Sequence, residues 1–184
     1  MSIRLRKAIV SKYRKMLSSW EAPYLQSLIK LMESQSKTTL IMWVLDYAEM
    51  ALLPIWVNER ADDVRPQAAI QVARSWLRGE VKLPVAKQKI LALHAAAREL
   101  DDQPALQGIA RAIAQSASTI HMPRHAFGLA LYGSLALAYH KLGINTPFNQ
   151  LEEQAAIECK KMENALRKIA IIDEKNIAKI SWKC

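Results

Sequence analysis

The chain has 184 residues, a formal net charge of +9 and only five glycines. With 51% hydrophobic and 23% charged residues, wholesale disorder is excluded, and the length allows a packed core without disulfide staples. Scarce glycine argues against a fold built on tight β-turns, and no unbroken apolar run of about 18 residues marks a transmembrane helix.

Leu5, Ile9, Tyr13, Met16, Leu17 and Trp20 recur at helical spacing, with Arg4, Lys7, Lys12, Arg14 and Lys15 mostly off that stripe. The pattern predicts a cationic amphipathic helix of about 15 residues. Residues 1–37 carry eight basic and two acidic side chains, so most of the charge excess lies there. With Arg6, these cations form an arm suited to an anionic partner, including nucleic acid phosphate. The plainer reading of the same residues is a solvated helix face. Pro23 opens a short helix through Met32, and the polar stretch Ser34 to Lys37 separates the arm, residues 1–37, from a core domain over 38–146.

From Leu40 to Leu52 the residues are apolar on nearly every side, which predicts a buried central helix that Pro54 kinks or ends. Pro66, Pro84, Pro104, Pro123 and Pro147 then each open a helix, and Gly79 and Gly143 follow helix ends. Proline suits a first turn whose N–H has no intrahelical partner, and glycine accepts the conformation past a last turn. Gly128 to Ser134 lacks the ending of a phosphate-binding loop and reads as a small-residue helix face. No stretch alternates with period two. The expected fold is therefore all-α, a bundle of antiparallel helical hairpins with short Pro/Gly-punctuated loops. Residues 147–184 form a C-terminal helical extension packed on it.

Chemistry-bearing residues are few. There is no Gly-rich phosphate loop, zinc-finger spacing or nucleophile elbow. His121 and His125 are four apart with Pro123 between them, so they converge only across a tight corner. Together with His94 they are the candidate metal ligands, although no HExxH pattern supports them. Asp46 and Glu49 share a face of the central helix. Buried carboxylates must be paired, so Arg65, Arg98 or a histidine is expected to meet them. Asp63 is placed to cap the helix at Pro66. Arg65 sits unfavourably at that helix start unless it reaches an acid, Asp46 or Glu49. Trp43, Trp56 and Trp76 fit either a core or a groove. Cys159 and Cys184 give no disulfide framework, which points to a reducing cytoplasm, and residues 1–20 lack the apolar stretch of a secretory leader.

Several short segments, in this order and spacing, carry a resemblance: Trp43 to Glu49, Leu53-Pro54, Asp63 to Pro66, Ala73 to Gly79, His94 to Glu99, then His121, His125-Ala126 and Gly128. Over residues of about 40–140 the chain resembles an all-helical family of bacterial immunity proteins. The resemblance implies an all-α domain that neutralises a toxin by protein–protein binding, without catalysis and without a cofactor. Asp46, Glu49, Asp63, Arg65, His94, Arg98, His121 and His125 form the polar cluster available for contact. A chain of this charge calls for a target with an acidic surface, or for docking through the near-neutral middle. The alternatives are a nucleic-acid-associated helical protein acting through its arm and a metal-dependent enzyme built on the histidines and acids. An alanine-rich bundle with an amphipathic arm is also compatible with a homodimer.

Overall fold

The computed structural model describes residues 13–17 and 19–182, and every regular element among them is helical. Helix α1, Pro23–Glu33, buries Leu25, Leu28, Ile29 and Met32. The Ser36 hydroxyl accepts a hydrogen bond from the Thr39 N–H at 3.2 Å and so opens α2, Lys37–Glu59. Contrary to the sequence expectation, α2 is long and apolar enough by length and composition to cross a membrane. Asp46 and Glu49 interrupt the run without lowering its mean hydropathy enough to fail that test. Half of its most apolar window is buried inside the protein, and Trp43 and Trp56 are fully enclosed there.

Pro54 does not end α2. Residues Ala48–Leu52 form a wide π turn, in which the Leu53 N–H donates to the Ala48 carbonyl, and α-geometry resumes over Leu53–Glu59. Proline has no N–H to offer and its ring crowds the carbonyl four residues back; the wider turn absorbs both faults. Nor is α2 apolar all round: Met42, Asp46, Glu49 and Met50 make an exposed stripe.

Proline lies in the first turn of α3 (Arg65–Leu77), α4 (Leu83–Arg98) and α5 (Pro104–Ser118). Pro123 opens a 3₁₀ turn, Pro123–Ala126, which leads through a π turn, Leu129–Gly133, into α6, Ser134–Leu142. Pro147 immediately precedes α7, Phe148–Ile169. Gly79 and Gly143 take φ of 77° and 89° just past their helices, as a residue without Cβ can.

Helix α5 is the hub, packed against α2, α3, α4 and α6. Its small residues permit this: a Cβ on Gly108 would lie 2.8 Å from the Ala136 Cβ. Helix α7 covers α1, α2 and α6, and Trp43 Nε1 of α2 donates to the Met162 carbonyl at 3.0 Å. One hydrophobic core runs through all of these elements, from Leu17 to Leu166. Beyond Ile169 the chain becomes an extended strap rather than more helix. The Ile171 N–H donates to Gln35 Oε1 at 2.7 Å, and the Ala178 N–H to the Gln35 carbonyl at 2.9 Å. Trp182 ends the strap edge-on to Phe127, with Nε1 donating to Glu33 at 2.6 Å.

The described residues ahead of α1 differ from the helix expected over them. Residues 13–17, 19 and 20 are bends and turns. Leu17 is buried and its N–H donates to the Leu131 carbonyl at 3.1 Å. Arg14 stacks 3.9 Å from the centre of the Phe148 ring, and Lys15 pairs with Asp101 at 3.1 Å. These contacts within the chain take the place of a continuous helix. Arg4, Arg6, Lys7 and Lys12 lie outside the described residues.

Candidate functional site

The polar residues singled out from the sequence fall into three separate groups. In the first, Asp46 and Glu49 stand on the exposed stripe of α2. They meet neither Arg65, Arg98 nor a histidine, but Arg74 of α3, whose Nη2 donates to Asp46 at 2.8 Å and to Glu49 at 2.6 Å. The expectation that these carboxylates are buried is corrected: their side chains are 57% and 50% exposed. The buried acids are Glu158 and Glu163 of α7. Burial pushes the Glu163 carboxyl up, but Ser27, Lys160 and Arg167 outweigh it and hold the group down to about 2.

The second group sits where α3 begins. Asp63 does not cap α3, whose N-cap is Val64 without a side-chain cap bond; from one residue earlier, Asp63 Oδ1 accepts the Arg65 N–H at 3.2 Å. The Arg65 guanidinium folds back onto Asp63 and reaches Glu99, with Nη2 at 2.6 and 3.0 Å respectively. Its hydrogen bonds lower the Asp63 pKa and that of Glu99. Arg65 thus finds an acid, as its awkward position demanded, but at the α3–α4 end of the bundle rather than on α2. Arg98 is exposed and paired with neither Asp46 nor Glu49; it lies close enough to His94 to disfavour its protonation.

The third group is the histidine corner. His94 comes from the middle of α4, and the turn around Pro123 brings His121 and His125 to ring centroids 5.0 Å apart, tilted by 49°. Lys87, Ile90, Leu91 and Ser118 complete a cavity of about 330 Å³ around the three imidazoles. His125 Nδ1 lies 2.6 Å from Gln115 Oε1. A neutral His125 therefore carries its proton on Nδ1, leaving Nε2 free to gain one. Gly128 makes room for this latch, since a Cβ there would overlap the Gln115 side chain. His121 Nδ1 is buried without a hydrogen-bond partner.

Burial, with the neighbouring His121, Arg124 and His94, pulls the His125 pKa down to about 4. Burial also lowers His94, helped by Arg111 and Arg98, and His121, helped by Lys87 and Lys37. All three rings are therefore neutral at neutral pH, and the charged residues acting on them are cations. The rings converge, but not as metal ligands: among the described residues no three His, Cys, Asp or Glu side chains could hold a metal ion. Asp46 and Glu49, committed to Arg74, do not join them, so the five-residue metal centre is not assembled.

Sequence reasoning missed Gln115, Lys87, Arg74 and Glu99 as partners. Arg74 and Glu99 lie within the segments that carried the resemblance; nothing local marks Gln115 or Lys87. Trp43 and Trp56 are core residues, not groove walls, and their indole N–H groups bond to the Met162 and Asp63 carbonyls. Trp76 is half-buried beneath the Lys37 ammonium, 5.2 Å from the ring centre. Cys159 is buried, which pushes its thiol up to about 12, so it is no thiolate nucleophile at neutral pH.

No curated protein and no solved structure matches the chain. A family model does, from the last turns of α1 to the last turns of α7, and the chain belongs to that family, the Imm-5 like putative immunity protein family, matched over residues 30–165.

Proposed function

We propose that the chain is a non-catalytic immunity protein that neutralises a toxin in the cytoplasm by binding it. The observation that carries this reading is the continuity of the family match, which takes in α2 to α6 entire. The surface geometry supports docking. Arg74 and Arg65 each pair with two carboxylates, which gathers the charge that a partner would meet into two surface groups.

The test is affinity capture on the full chain from nuclease-treated lysate of the source cells, washed at low and then high salt. One protein should survive the high-salt wash in stoichiometric amount, arrest growth when expressed alone, and lose that toxicity when co-expressed with this chain. A captured protein whose toxicity is unchanged by co-expression overturns the reading. Retention that disappears on nuclease treatment overturns it too, in favour of nucleic acid.

A further inference from the structure

The histidine corner combines features that together point to a ligand. It is concave. Its wall includes His121, whose Nδ1 is buried without a hydrogen-bond partner. One cation, Lys87, lines the corner, and among the described residues the other charged side chains that disfavour protonation of the three rings are cations as well: Lys37 from α2, Arg98 from α4, Arg111 from α5 and Arg124 from the 3₁₀ turn. Leu91 and Met122, 64% and 39% exposed, give the region an apolar margin. Exposed apolar side chains beside a cationic cavity fit a protein surface better than a small inorganic ion.

We propose that this corner is the receptor for an acidic side chain, aspartate or glutamate, presented by the protein partner, and that seating it draws a proton onto the imidazoles. The inference rests on the binding role proposed above and assigns its docking point. A carboxylate entering the cavity replaces cation–cation repulsion with attraction, and so favours the imidazolium forms that the empty corner disfavours. His125 gains its proton on Nε2 while Nδ1–H stays on Gln115. The only species transferred is a proton from solvent to imidazole; no bond to the carboxylate forms. Because the complex then binds more protons than the free protein, affinity rises as pH falls from 7 towards 5.5, where most carboxylates remain ionised. The charge of the chain, which calls for an acidic target surface, thereby acquires a location.

Acetate serves as the probe. The imidazole resonances of the full chain are titrated by NMR in sodium acetate and in sodium chloride of equal ionic strength. The midpoint of His121 should rise by about half a unit or more in acetate, whereas His125, pulled down to about 4 where acetate is itself largely protonated, should move little. Lys87→Glu, an exposed substitution on α4 that leaves the core intact, should abolish the rise. Equal His121 midpoints in the two salts overturn the proposal. So does a larger displacement by a short single-stranded oligonucleotide than by acetate, which transfers the pocket to phosphate. Once a toxin is in hand, Lys87→Glu should weaken its binding at least tenfold and flatten the pH dependence. If the complex forms with wild-type affinity in that variant, the docking point is wrong while the immunity role stands. If no toxin is neutralised, the role fails, and the acetate titration still judges the pocket.

Discussion

Arg74 and Glu163 show how differently a charged side chain acts at the surface and under a helix. Arg74 holds two half-exposed carboxylates that water readily reclaims. Arg74→Met should therefore cost no more than about 1 kcal/mol, read as a small shift of the urea midpoint. Glu163 is 2% exposed and satisfies Ser27 as well as Lys160 and Arg167. Glu163→Ala should cost more, about 1–3 kcal/mol, because it removes a buried carboxylate that accepts from Ser27, Lys160 and Arg167 together. The same residues make acid sensitivity a two-stage process. A histidine whose folded pKa lies below its ordinary 6.5 binds its proton more readily when unfolded, so stability falls as pH drops from 6.5 towards 4. Glu163, held at about 2, contributes stability above 4.5 that is lost between 4.5 and 2. Urea titrations across pH should show His125→Asn flattening the first stage and Glu163→Gln the second; a single unchanged slope in both variants would refute this division.

At the scale of elements, close approach is the organising constraint. Gly108 of α5 faces Ala136 of α6, so Gly108→Ala gains helix propensity but forces the two helices apart. The net should be a loss of about 1–3 kcal/mol, measurable by thermal denaturation. A more stable variant would mean that the pair can slide. Helix starts and stops were legible in the sequence because proline and glycine act on their own backbone. The stretched turn before Pro54 was not, since its cause is a missing N–H and its effect lies two to six residues upstream. The exposed stripe of α2 was missed for another reason: Met42 and Met50 look like core residues, and the placement of α5 and α7 decides which side of α2 remains in water. The histidines illustrate the same limit. Their meeting across Pro123 could be anticipated from the turn, but the cations that surround them come from four elements and become neighbours only in the folded chain.

For the whole molecule, the non-local ties matter most. The strap beyond Ile169 satisfies both the backbone and the side chain of Gln35, which is 2% exposed. Ending the chain at Ile169 should cost about 1–3 kcal/mol for each buried group left without its partner, lowering the denaturation midpoint while leaving helical content nearly unchanged. The strap could not be read from the sequence, because its segment has no periodicity and its partner lies about 136 residues earlier.

The placement of α7 carries a further implication, for synthesis. The most apolar helix, Lys37–Glu59, leaves the ribosome well before the helix that covers its Trp43 side, which comes from residues 148–169. For most of translation the nascent chain thus carries an uncovered segment apolar enough to enter a bilayer or to attract other unfinished chains. Any stop before residue 148 should give an aggregating fragment rather than a smaller folded unit, and synthesis of residues 148–169 should be the step that covers the exposed segment.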